Sequence, residues 1–258
     1  MLKSTVFALL FLMTFCFFSC QKDKQIEPFT PQAPKQTSTV IFDFKALADN
    51  LPLIKNSKWY KNAFGDSFTV SKFNYYISNI KFKRADGAIY AEPESYHIIK
   101  HIEGVTSFAI PNFPEGKFTE VEFLIGVDSL RNVSGAQTGA LSPDTLMFWE
   151  WNSGYIFFKL EGQFKTTLSP IPNNFAMHIG GFKGPFNCLQ KCSFSLPNNL
   201  TTTQNKSSKI FYNVSINEIF TNPKIIDFDN YGIIAPGQKS LDISNNYKDM
   251  FSIDHIEN

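Results

Sequence analysis

Phe73-Asn74-Tyr75-Tyr76-Ile77-Ser78-Asn79-Ile80-Lys81-Phe82 is the stretch that decides the fold class. Phe73, Tyr75 and Ile77 fall on every second residue, the spacing that places side chains on one face of a strand. The apolar positions then change parity to Ile80 and Phe82. A one-residue slip of that kind predicts a β-bulge near Ser78-Asn79. Just beyond, Asp86-Gly87 separates Lys81-Phe82-Lys83 from Ile89-Tyr90 and predicts a tight hairpin. Val121, Phe123, Ile125 and Val127 alternate in the same way, with Glu120 and Glu122 outward as a solvated strand face. Further strands are expected at Val40–Phe44, Phe68–Phe73, Met147–Leu160, Phe175–Ile179 and Ile210–Ile219. Phe alone supplies 28 residues, and with Ile, Val, Tyr and Thr also frequent this bias favours strands over helices. The chain therefore reads as all-β: an antiparallel β-sandwich with long loops and at most one or two short helices, one of them within Asn245–Phe251.

The N-terminus reads differently. Lys3, an apolar run from Val6 to Phe18 and then Ser19-Cys20 form a charged start, a core too short to span a bilayer, and a cleavage position. Residues 1–19 are read as a lipoprotein signal peptide, with Cys20 as the acylated first residue of the mature protein. Residues 20–38 are polar and carry Pro28, Pro31 and Pro34, a composition that cannot build a core, so they read as a flexible tether. Residues 39–258 are long enough to bury a full core as one domain. The net charge is +1 and no long basic stretch occurs, which argues against nucleic acid as a partner. The expected place is the cell envelope, lipid-anchored to the outer membrane. The mixed charges of Lys22-Asp23-Lys24 leave its periplasmic and surface faces both open.

Met147-Phe148-Trp149-Glu150-Trp151-Asn152-Ser153-Gly154-Tyr155 holds two of the three tryptophans. Read as one strand, it places Met147, Trp149, Trp151 and Tyr155 on one face and Glu150 and Asn152 on the other. Such a stripe most often only buries area. Trp59 reads as packing. Asp128 to Leu146 is a long loop leading into this strand, and Asp128, Asn132 and Asp144 on it form a weak oxygen-donor set for calcium. The four histidines are His97, His101, His178 and His255. A copper site needs two or three converging nitrogen or sulfur donors, whereas a lone strand histidine is usually a hydrogen-bonded core or surface residue. His101 shares parity with His97 and is a third-ligand candidate; His255 lies near the C-terminus and is expected to be exposed. Met147 offers a thioether suited to Cu(I), although a Met beside Phe is more often core filler. Cys188 and Cys192 remain once Cys16 leaves with the signal and Cys20 is acylated. In an oxidising compartment a disulfide between them is the simplest expectation, with a soft Cu(I) site near His178 as the alternative. No G-x-S-x-G, H-E-x-x-H or phosphate-binding glycine loop is present, so a non-enzymatic protein is expected.

The tryptophan string resembles the tryptophan motif of the MbnP-like copper-binding domain, a family of periplasmic and lipoprotein β-proteins found near methanobactin genes and widely in Bacteroidetes. Phe73–Ile80, Ser95-Tyr96-His97-Ile98-Ile99, Ile125-Gly126-Val127-Asp128-Ser129, Ser134–Leu141 and Met177-His178-Ile179-Gly180-Gly181-Phe182 look like its other landmarks, in the same order. The resemblance covers about Val40 to Phe182. It implies copper bound by histidine and by a tryptophan oxidised to kynurenine, with a MauG-like dihaem peroxidase as partner. Opening the indole ring yields an aniline nitrogen and a ketone, turning a poor donor into a ligand. The implied metal set is His97 and His178 with Trp149 as kynurenine. Trp151 is the alternative, Trp149 being favoured because it lies nearer the incoming loop. The family pattern has a His after Asn in that loop, where this chain has Asn132-Val133. The competing expectation is a surface, assembly or glycan-binding lipoprotein without metal. The copper reading predicts that His97 and His178 converge near Trp149 and Trp151; the alternative predicts histidines far apart and an exposed aromatic platform elsewhere.

Overall fold

The computed structural model describes residues 37–135, 137–150 and 153–258, and of Glu150 the backbone alone. The signal peptide, Cys20, most of the tether and Trp151 lie outside the described residues. Gln36–Asn258 form one compact unit. No described helix is long and apolar enough to cross a membrane.

The alternating stretches form strands, and the strands form two facing sheets. In one, Phe251–Glu257, Ser207–Ser215, Ser38–Ala48 and Leu51–Pro52 lie in that order, with Ser107–Phe113 also paired to Ser38–Ala48. In the other the order is Gln190–Thr202, Gly116–Ile125, Lys72–Arg84, Phe158–Lys165, Asn173–Ile179 and Ile233–Ile234. Tyr96–Lys100 pairs along the opposite edge of Lys72–Arg84. Two pairings are parallel, Ser38–Ala48 with Ser207–Ser215 and Asn173–Ile179 with Ile233–Ile234. Alternation specifies a strand but not its partner, so the sequence reading gave antiparallel throughout. Val40, Phe42 and Phe44 point inward and are buried. They meet the facing sheet ring to ring, Phe42 with Phe82 at 5.9 Å and Phe44 with Tyr75 at 6.2 Å, while Phe251 reaches Tyr75 at 5.4 Å. Each such pair adds about 0.5–1.5 kcal/mol beyond its buried area.

The bulge lies where the parity slip places it: Asn79 has φ 54° and the register against Gly116–Ile125 shifts between Ser78 and Lys81. The Asp86-Gly87 hairpin also forms, with Lys83 opposite Ile89. The expected Met147–Leu160 strand does not. Phe148–Glu150 and Gly154–Tyr155 fold back as a hairpin, and Phe158–Lys165 is a separate strand. Gly154 turns the chain at φ 74°, so Tyr155 sits opposite Phe148, their rings 5.0 Å apart, rather than on the face of Trp149. The terminal helix is Gln238–Tyr247, earlier than expected, and Phe251 opens the last strand.

Cys188 and Cys192 are both buried and are not joined. Cys188 Sγ donates to Phe186 O and Cys192 Sγ to Lys248 O. Cys192 lies in the Gln190–Thr202 strand and Cys188 just before it. Four residues of extended chain span about 13 Å, against Cα separations of about 4.4–6.8 Å across a disulfide. Burial pushes the Cys192 thiol up to about 12, which makes it inert rather than a ready soft ligand.

Candidate metal centre

The loop after Val127 lies on the outer face of the larger sheet, and nearly every motif of the resemblance serves to hold it there. Asp128 caps Ser129–Asn132 by accepting from Leu130 N, and it also accepts from Tyr96 Oη at 2.6 Å and Asn79 Nδ2 at 2.7 Å. Burial alone would raise its carboxyl, but these donors outweigh that and lower it. Arg131 N is a fourth donor at 3.4 Å, so the carboxylate is committed to holding the loop. Asn132 is buried and donates to Val127 O and Asp128 O, while its Oδ1 accepts from Tyr155 N at 2.9 Å. That one amide joins the loop to the tryptophan hairpin. Tyr76 Oη donates to Ala140 O, Tyr155 Oη to Leu141 O, Lys100 Nζ to Thr145 O and Lys159 Nζ to Leu146 O. Among the described residues Asp144 exchanges bonds with Ser142 in a turn.

Trp149 is half-buried, and its six-membered ring lies flush on Gly180. A Cβ at Gly180 would come within 2.5 Å of Trp149 Cζ3 and of Tyr155 O. This glycine is therefore fixed by the close approach of the indole. His178 stands two residues before it on Asn173–Ile179. Its Nε2 meets Glu161 Oε1 at 2.8 Å. Burial lowers its pKa, with the Glu161 bond opposing, so the ring is neutral at pH 7. A metal-binding imidazole characteristically gives its other N–H to a carboxylate, which is the arrangement His178 and Glu161 offer, with Nδ1 left for a metal.

His97 does not join it. His97 pairs with Ile77, whereas His178 pairs with Lys159 and through it Asn74. Ile77 and Asn74 have opposite parity on one strand, so the two imidazoles project from opposite faces. They are also three strand spacings apart, about 14 Å of sheet width. His97 is a structural residue: its ring stacks on Phe108 at 3.7 Å and its Nε2 meets both oxygens of Glu92, at 2.9 and 3.0 Å. His101 shares that inner face, as its parity predicts. Its Nε2 meets Tyr75 Oη at 3.0 Å and its ring stacks on Phe73 at 4.7 Å. Met147 is fully enclosed and serves as core. His255 is exposed and stacked on Phe211. Glu120 and Glu122 pair with Lys83, Lys81 and Lys191 as a solvated face. Trp59 departs from its packing reading: it is 38% exposed, with Lys165 Nζ 4.4 Å from its ring centroid.

Among the described residues no three of His, Cys, Asp and Glu come together as a metal set. A two-histidine copper centre from His97 and His178 does not fit this structure. On the outer face His178 stands two residues before Gly180, on which Trp149 of the hairpin is seated. The sequence reading missed Glu161, and it took Asn132 as an oxygen-donor candidate rather than as the anchor of the hairpin. Glu161 shares parity with Lys159, the cross-strand partner of His178, but that register is set between two strands and is not written in either one.

His101 carries a pH dependence. Burial pushes its imidazole down to about 3, whereas in the unfolded chain it ionises near 6.5. The unfolded state therefore gains a proton that the fold refuses. Stability is complete above about pH 6.5 and falls by about 1.4 kcal/mol per pH unit below it, down to about pH 3. Urea midpoints measured from pH 7 to pH 4 should fall more steeply for the native chain than for His101→Gln. Parallel profiles would contradict this placement of the ring.

The sequence profile of a family described as MbnP matches residues 37–238. Among curated proteins no sequence matches the chain. Among solved structures, MbnP from Methylosinus trichosporium superposes with a TM-score of 0.51 at 12% identity, over 85% of this chain and 98% of that one. At that identity the likeness is one of fold.

Proposed function

Because the chain belongs to the MbnP family, we propose that it is a lipid-anchored, non-enzymatic copper-binding protein of the cell envelope, with its metal site on the tryptophan hairpin and His178 as the imidazole donor. The observation that carries this reading is the seating of Trp149 on Gly180, two residues from a neutral histidine whose Nε2 is held by Glu161. In this reading Cys20 is acylated after removal of residues 1–19, and the domain is tethered to the outer membrane. Trp149, or Trp151 beyond it, would be oxidised to kynurenine by a MauG-like dihaem partner. Copper at this site would be held by His178 and the oxidised tryptophan. The remaining side chains position that pair. Glu161 fixes the ring of His178, and Lys159 and Lys100 clamp the backbone that leads into the hairpin.

The test separates the two histidines. Copper titration of the mature protein, purified from its native host, should show His178→Ala weakening binding by at least about a hundredfold, since loss of a mere supporting partner already costs 10–100-fold. His97→Ala should leave affinity unchanged. The reverse pattern would defeat this assignment.

A further inference from the structure

The outer face of Phe158–Lys165 and Asn173–Ile179 carries a second feature, at the end away from Trp149. A concavity of about 330 Å³ is lined by Asn56, Thr69, Ser71, Gly162, Gln163 and Asn174. No lining side chain is charged and none is a large apolar group. Thr69 is engaged, its Oγ1 accepting from Gln163 N at 3.2 Å. The side chains of Asn56, Ser71, Gln163 and Asn174 make no hydrogen bond among the described residues. Residues carrying three amides and one hydroxyl thus line one depression, and none of those groups has a partner among the described residues. The sheet register explains part of this: Gln163 and Asn174 are cross-strand partners and share a face. Lys165 is two residues on from Gln163 and shares that face. Its Nζ lies over the ring of Trp59, which comes from the same loop as Asn56. Trp59 is thus an exposed indole on the loop that also contributes Asn56 to the depression.

We infer that this groove is a carbohydrate-binding site for neutral pyranose units. A sugar ring presents C–H faces and an array of hydroxyls that both donate and accept. Amides and hydroxyls match that double character, whereas a charged side chain offers only one half of it. The indole supplies a flat apolar surface for the C–H face. The lining carries no charge and the Lys165 ammonium is engaged over the Trp59 ring, which favours neutral sugars over uronic acids. The volume lies at the lower end of the range for small-ligand sites, which suits one or two rings. This site is distinct from the metal reading, which uses Trp149, His178 and Glu161 further along the same strands, and it stands or falls separately.

The test is calorimetric titration of the full mature protein with cellohexaose, maltohexaose and mannohexaose, and with a galacturonic acid hexamer as the anionic comparison. At least one neutral hexaose should bind. Its affinity should fall by about tenfold in Trp59→Ala, the loss expected of one stacked ring, and should fall also in Gln163→Ala. Trp59 and Gln163 are both exposed, so the melting temperatures of these two variants should be unchanged, and His178→Ala should bind the sugar normally. Absence of binding by all three neutral hexaoses, binding by the acidic hexamer alone, or affinity that survives Trp59→Ala would each overturn the inference.

Discussion

Gly162→Ala is expected to lower the melting temperature by about 10 °C, from a loss of about 3–5 kcal/mol at about 2–4 °C per kcal/mol for a domain of this size. A Cβ at Gly162 would lie 1.9 Å from Thr69 O, 2.8 Å from Thr69 C and 2.9 Å from Phe175 Cε1. The first two atoms are backbone and cannot rotate away. Relief would require segment 69–71 to leave Phe158–Lys165, breaking the bonds from Thr69 N to Gln163 O and from Ser71 N to Glu161 O, both 2.8 Å. The phenyl of Phe175, which packs on Phe228 at 4.8 Å, would shift as well. The cost is therefore steric and concentrated at the margin of the core, not a matter of backbone φ. Differential scanning calorimetry reads it directly, and an unchanged melting temperature would show that the two strands are not in this contact.

The second large effect is a gain. Val133→His is expected to raise copper affinity by about a hundredfold, the low end of what a second tethered contact supplies. Val133 is 66% exposed, so an imidazole there displaces no core. It directly follows Asn132, whose Oδ1 holds the hairpin through Tyr155 N. The backbone is thus pinned next to the strand that carries Trp149. Copper titration of the Val133→His protein against the unaltered one measures the gain. Equal affinities would mean that this loop does not face the metal.

Much of the sandwich was legible because its inner faces obey period two with few exceptions. The bulge at Asn79 and the turn at Gly87 were readable from the parity slip at Ile80 and from Asp86-Gly87. Partner choice was not legible, because the parallel union of Ser38–Ala48 with Ser207–Ser215 joins segments far apart in sequence. The tryptophan hairpin was misread as one strand because Gly154 looks like any strand glycine until its positive φ is known. The pairing of His97 with His178 was not legible for a related reason. Parity along Tyr96–Lys100 correctly grouped His97 with His101, but the faces of two different strands are fixed only by cross-strand register. His97 against Ile77 and His178 against Lys159 place them on opposite sides. The landmarks in the sequence mark how the loop is held, through Asn79, Tyr96, Asp128 and Gly180. They speak less directly of ligands.

Copper is proposed to sit on the tryptophan hairpin beside His178. That placement is tested most directly on protein purified from its native host, by peptide mass and copper content of one sample. The account predicts a tryptic peptide containing Trp149 and Trp151 that has gained one oxygen and lost one carbon, together with bound copper that His178→Ala abolishes. Unmodified tryptophans and no copper after reconstitution would contradict it, leaving the hairpin as packing on Gly180 and the domain without a metal.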